Sequence, residues 1–198
     1  WGGDLTVSGR MDVAHSPEAP WRVQAQVAKV AGDLTLSEPS IEGNSMQRLG
    51  IDVASLGLTA KDGLWVLTQV FEGSVLGRLS GRQSIQVADR QRWPAADDVL
   101  SGALDVSVSS LRPWAAWVPA GWRLQGQVEG HAELSGTVGK PQYVGTLRGR
   151  QLQLNQALMG VNLTDGTLVL DLQGDQAYLR EFTAKGGAQG GMVRATGQ

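Results

Sequence analysis

Cysteine is absent from the 198 residues, which removes thiolate catalysis, iron–sulfur clusters and Cys-based zinc sites and leaves either redox compartment open. Histidine occurs twice, at His15 and His131, and neither stands four residues from another ligand type in a zinc-like pattern. His131-Ala132-Glu133 has the His-x-Glu of zinc deaminases without the Pro-Cys-x-x-Cys half, so a surface histidine is expected. There is no Gly-x-Ser-x-Gly elbow, no Gly-x-x-x-x-Gly-Lys phosphate loop and no Gly-x-Gly-x-x-Gly opening a helix. Charge is scarce at 18%, against a usual ~25%. The 17 Lys and Arg are scattered singly through a chain of net charge -2, which argues against a nucleic-acid partner. No apolar run approaches the ~18 residues of a membrane-spanning helix. Phe and Tyr number two each, against seven Trp.

What is abundant is glycine, with 27 residues, about twice the usual ~7%. The glycines lack the every-third spacing of collagen and punctuate stretches of strict apolar/polar alternation. Asp4-Leu5-Thr6-Val7-Ser8, Asp33-Leu34-Thr35-Leu36-Ser37, Leu104-Asp105-Val106-Ser107-Val108, Gln151-Leu152-Gln153-Leu154-Asn155 and the run Thr167 to Leu172 all have period two. Each predicts a strand with one apolar and one wet face. Helical spacing occurs only from Ser109 to Val118, where Leu111, Trp114, Ala115 and Val118 align, with Pro113 early in the run and Pro119 ending it, enough for a turn or two. The expected fold class is all-β with at most one or two short helices. Glycines are expected at strand ends and turns, as in Asp62-Gly63, Asp165-Gly166, Gly126 with Gly130, and Gly145 with Gly149.

A repeat organises the chain. Leu49-Gly50-Ile51-Asp52-Val53 matches Met159-Gly160-Val161-Asn162-Leu163 at a separation of 159 − 49 = 110 positions, and each is followed by alternating strands and a glycine-rich return. Two units, 1–92 and 93–198, are expected to form one continuous elongated sheet. The segment from Asp89 to Asp98 is the expected connection, with Asp97 and Asp98 read as solvated and pointing apart. The opening Trp1-Gly2-Gly3 without an initiator Met reads as a piece of something longer.

The apolar faces carry the functional signal. A closed sandwich would need large rings to fill a layer about 10 Å thick, whereas here the alternating positions are mostly Leu and Val. A curved sheet lined with aliphatic side chains resembles hydrocarbon. Exposing an acyl chain to water costs ~0.8 kcal/mol per methylene, on the order of 12 kcal/mol for 16 carbons, and a dry groove removes most of that without a catalytic residue. The expected groove lining is Leu34, Leu36, Ile51, Val53, Leu152, Leu154, Val161, Leu163, Leu168, Leu170 and Leu172. No catalytic residue, metal site or cofactor is expected. Trp114, Trp117 and Trp122 around the helical turn suggest either an amphipathic plug or a small local core.

From about Trp93 onward the chain resembles the C-terminal region of the TamB family, within the AsmA-like group of bridge-type lipid-transport proteins. The likeness rests on Leu134-Ser135-Gly136-Thr137-Val138-Gly139-Lys140-Pro141, Gly145-Thr146-Leu147, the run Met159 to Leu168, Gly174-Asp175 and the Gly186 to Gly191 run, in that order. The stretch from His15 to Pro20 departs from the pattern. The resemblance implies a β-taco, a long antiparallel sheet folded lengthwise into a trough. It also implies a periplasmic segment of a protein anchored in the inner membrane of a Gram-negative bacterium through a segment not in this sequence. By resemblance the partners are lipid acyl chains or client β-strands, and an outer-membrane barrel, TamA. The implied roles are phospholipid transport between inner and outer membrane, and protein secretion through assembly of outer-membrane proteins such as autotransporters.

Two other classes compete. A passenger-like β-solenoid acting by binding or adhesion would show a fully packed interior with side-chain ladders. An enzyme would need His131, Glu133 and Asp165 to converge in one pocket.

Overall fold

The computed structural model describes residues 2–16, 18–40, 43–89, 92–117, 119, 121–187 and 191–197, without the side chains of 36–40, 43–47 and 115–117. Fourteen strands account for most of it. In the first half they are β1 (Gly2–Gly3), β2 (Thr6–Ser16), β3 (Ala19–Ala31), β4 (Leu34–Ser40), β5 (Gly43–Arg48), β6 (Ile51–Lys61), β7 (Leu64–Gly73) and β8 (Gly77–Gln86). The second half adds β9 (Val99–Val108), β10 (Trp122–Thr137), β11 (Lys140–Gln156), β12 (Val161–Gly174), β13 (Gln176–Gly186) and β14 (Gly191–Gly197). All five stretches singled out by alternation fall wholly or mostly on these strands.

Eleven strands form one open antiparallel sheet in the order β14-β13-β12-β11-β10-β9-β8-β7-β6-β3-β2. Its two outer strands, β2 and β14, do not pair, so the sheet is a long trough and not a barrel. Strands β4 and β5 leave the meander and pair with β1 in a small separate sheet. Every pair of described strands is antiparallel, which is the pattern of consecutive hairpins and not of stacked solenoid coils. Strands β8 and β9 pair directly on either side of the 87–98 connection.

Turns explain part of the glycine excess. Asp62 and Gly63 both adopt positive φ, 52° and 82°, as a tight two-residue hairpin requires. Gly50 and Gly160 share φ of 65° and 66° just before β6 and β12, so the 110-residue echo has one local conformation. Other glycines correct the expectation that they mark turns. Gly126 and Gly130 lie inside β10, Gly145 and Gly149 inside β11, and Asp165-Gly166 inside β12. At Gly130 a Cβ would come 2.6 Å from a Leu147 methyl and 3.0 Å from a Val106 methyl. These positions are bare because aliphatic chains from neighbouring strands lie over them.

The helical stretch is a single 3₁₀ run, Arg112–Trp117, packed beside β10, with Pro113 fully buried. Trp114 and Trp122 are half-buried, while the side chains of Trp117 and residue 118 lie outside the described set.

The packed core is small and sits in the first half. Val23, Ala60, Trp65 and Val87 are buried together, with Trp21, Leu58 and Ile85 against them. A second cluster joins Leu49 and Ile51 to Leu34, Ala54 and Leu76. Asp33 is buried at the crossing of the two sheets and accepts hydrogen bonds from the N–H groups of Leu34 (2.8 Å), Gly50 (2.8 Å) and Ile51 (3.2 Å). Burial pushes its pKa up, and those three donors outweigh burial and hold the carboxyl below its ordinary value.

Candidate functional site

In an antiparallel sheet, residues paired across strands share a face, so the register draws the faces row by row. One row runs Val27, Leu56, Gln69, Gly81, Leu104, Ala132, Gly145, Leu172 and Ala177 from β3 to β13. The next runs Ala54, Phe71, Leu79, Val106, Gly130, Leu147, Leu170 and Leu179. Apart from Gln69 and Gln83 these rows and their neighbours hold almost nothing but aliphatic side chains, rings and glycine. The opposite face is polar and carries ion pairs. Examples are Glu72–Arg78 (3.2 Å), Asp105–His131 (2.7 Å), Asp165–Lys185 (2.9 Å) and Asp171–Arg180.

Bulges keep the apolar face continuous. Gln151 in β11 and Asp165 in β12, with φ of 52° and 51°, each insert one extra residue. Without them, Leu147 and Gly149 would face away from Leu152 and Leu154, and Leu163 away from Leu168. With them, Leu152 lies over Gly126, Gly149 and Gly166, its side-chain atoms 2.8 Å from where each Cβ would stand.

The structure places Leu152, Leu154, Val161, Leu163, Leu168, Leu170 and Leu172 on the apolar face, all half-buried. Leu34 and Ile51 belong to the packed second cluster. Val53 departs from expectation: a bulge between Ile51 and Val53 turns it to the polar face opposite Glu72, where it is exposed. The side chain of Leu36 lies outside the described residues.

The apolar face deepens into a cavity of about 610 Å³ between β6 and β11. Leu58, Leu67, Ile85, Leu104, Leu134 and Tyr143 are among its walls. One end is covered by Trp93 and Pro94, from the connection between β8 and β9. Trp93 stacks obliquely on Trp65 (4.7 Å between ring centres) and Trp21 (5.1 Å), and Trp21 lies flat on His15 (4.1 Å). The connection is pinned at both ends, by Val87 N–H to the Gly63 carbonyl (2.9 Å) and by Val138 and Gly139 N–H to the Asp98 and Ala96 carbonyls (3.0 and 2.8 Å).

Asp98 is the peg of this connection, contrary to its reading as solvated, and Asp97, though exposed, does not point apart from it as expected: its carboxylate stands 3.6 Å from the same Arg92 guanidinium. The Asp98 carboxylate accepts from Ala95 N–H (2.8 Å), from Ala88 N–H (3.3 Å) and from both terminal nitrogens of Arg92 (2.6 and 2.7 Å). The Ala95 N–H, with Arg92 and Ala88, holds its pKa below the ordinary carboxylate value against the opposing effect of burial.

This arrangement offers hydrocarbon and a few neutral polar groups. His131 is exposed on the polar face beside Asp105; the hollow next to it is lined by Glu129, Arg78 and Arg148, not by Glu133 or Asp165. Among the described residues no three His, Asp or Glu side chains gather to hold a metal ion, and no helix is long and apolar enough to cross a membrane.

The family model for the TamB N-terminal domain matches residues 2–149. The chain belongs to the TamB family. The match is thus to the N-terminal domain, not to the C-terminal region, and it takes in β1 to β8, ahead of the stretch from Trp93 on which the resemblance rested. TamB-family proteins belong to the translocation and assembly module and work with TamA. No curated protein and no solved structure matches the chain.

The expected lining falls on the apolar face only over β11 and β12 and misses the middle of the TamB trough. Leu58, Leu67, Ile85, Leu100, Leu104 and Leu134 lie there, and the alternation from Leu104 to Val108 carried the same signal. Trp93 had no such signal, because it comes from a connection and reaches the face from above.

Proposed function

We propose that this chain is a periplasmic segment of a membrane-anchored TamB-family protein whose apolar face shelters phospholipid acyl chains passing between the inner and outer membranes. The same face would serve assembly of outer-membrane proteins such as autotransporters by holding a client strand in transit. The supporting observation is the set of aliphatic rows that cross the sheet from β3 to β13 and stay half-open. A chain lying along them leaves one hydrocarbon surrounding for another, so the ~0.8 kcal/mol per methylene cost of water is avoided and no catalytic group is required. In this reading the division at 92/93 separates two repeat units of one continuous trough, and contact with TamA is made by the whole protein.

A photo-crosslinking residue at Leu154 or Leu163, in cells, is expected to yield a lipid adduct, and its absence at both positions would sink the proposal. Leu163→Arg is expected to abolish the adduct formed from Leu154 while circular dichroism retains the β signature. Global unfolding instead would make Leu163 ordinary core.

A further inference from the structure

Two polar side chains interrupt the middle of the apolar face, and they do so side by side. Gln69 stands in the row of Leu56 and Leu104, and Gln83 in the row of Leu67 and Leu134; both line the 610 Å³ cavity. Their amide heads meet over Gly81, where a Cβ would lie 2.7 Å from the Gln69 Nε2 and 2.8 Å from the Gln83 Nε2. The Gln83 Nε2 donates to the Ala103 carbonyl at 3.3 Å. Both Oε1 atoms are buried and have no hydrogen-bond partner among the described residues. An acceptor left in that state destabilises the fold, and replacement by an apolar side chain of similar shape would remove the cost. A trough built only to be greasy would carry Leu or Val here, as its other rows do.

We infer that Gln69 and Gln83 form a hydrogen-bonding subsite in the trough for an aliphatic chain that carries an uncharged hydroxyl group. This rests on the acyl-chain reading above and narrows it. The occupant must bring a donor, because the free atoms are acceptors. It must be neutral at that point, because no Asp, Glu, Lys or Arg lines the cavity to balance a buried charge. It must be apolar on both sides of the donor, because Leu58, Leu67, Leu104 and Leu134 flank the pair. A hydroxyl meets these terms with a single donor. The volume lies within the range of about 300–1,000 Å³ usual for small-molecule sites.

The test uses the full 198-residue chain and the fluorescence of Trp65 and Trp93, which line the same cavity. A dibrominated stearate serves as the quenching occupant, displaced by stearate or by 12-hydroxystearate. The hydroxylated chain is expected to displace it at about three- to ten-fold lower concentration, the range of one net hydrogen bond. Gln69→Leu and Gln83→Leu are expected to remove that preference, so that stearate and 12-hydroxystearate displace the probe at the same concentration, with the thermal midpoint equal or higher. Equal displacement by the two acids in the native chain would overturn the subsite and leave the acyl-chain reading standing. So would a preference that persists undiminished in both variants. Failure of the brominated chain to quench at all would overturn both.

Discussion

The trough has two ends built on different physical terms. In its first stretch, over β3, β6, β7 and β8, rings fill the space: Trp65 is buried beneath Trp93, and Val23, Ala60 and Val87 close in around it. In its last stretch, over β11 to β13, Leu residues face bare glycine, and Ala184 is the one buried hydrophobic side chain among the described residues there. Both stretches alternate apolar and polar residues and both are antiparallel meander. What separates them is the size of what stands on the face. An aromatic side chain buries 150–250 Å² and can be met by another ring from a connection, whereas a Leu row opposite glycines leaves a furrow. The first end holds itself together. The second presents surface to a visitor.

The comparison can be broken most sharply at Trp65. Trp65→Ala is expected to cost about 3–5 kcal/mol, measured by urea unfolding; a loss below about 1 kcal/mol would mean the filled end is no more a core than the open one.

Asp98→Ala comes next, because it leaves the Arg92 guanidinium and the Ala88 and Ala95 N–H groups without their acceptor and loosens the cover over the trough. The pKa of Asp98 is lowered in the fold, so its contribution is full above the unfolded value of about 3.9 and is lost as pH falls through the lower folded value. The stability gap between native chain and variant is therefore expected to be wide at pH 7 and to narrow below about pH 4. A gap that stays constant with pH, read from urea midpoints, would remove the carboxylate from this role.

The smallest effects test the two faces against each other. Leu170→Ala, on the apolar face, is expected to cost about 1 kcal/mol, as suits a half-buried Leu, and to weaken displacement of a brominated acyl chain. Val53→Thr, on the polar face, is expected to stay within about 0.5 kcal/mol and to leave that displacement unchanged. Equal behaviour of the two would mean that the bulge at residue 52 does not sort the faces.

Much of this was legible in the residue order. Strict alternation located the strands because its period of two is the period of the pleat, and the echo between Leu49 and Met159 located two strand starts that share a left-handed glycine. Val53 shows where that reading fails. A bulge adds one residue and turns every later side chain over, and nothing in Ile51-Asp52-Val53 announces it. Gln151 and Asp165 are the same event used constructively, since each restores the apolar face after a stretch in the other phase. Asp98 was hidden for another reason. Its role depends on partners at Arg92, Ala95 and Ala88 converging on one carboxylate, and an Asp-Asp pair in a connection has no pattern that foretells it.

Composition and alternation alone therefore determined a glycine-rich, all-β chain whose strands carry one aliphatic face, because those properties are local or additive along the chain. Register, bulges and the course of the 87–98 connection were decided only by the tertiary structure. They depend on which residues stand opposite one another across strands, a relation between distant positions that local pattern does not contain. The same holds for the glycines. Their number showed that the chain must turn often, and the fold showed that many do not turn at all but lie inside strands beneath the leucines of their neighbours.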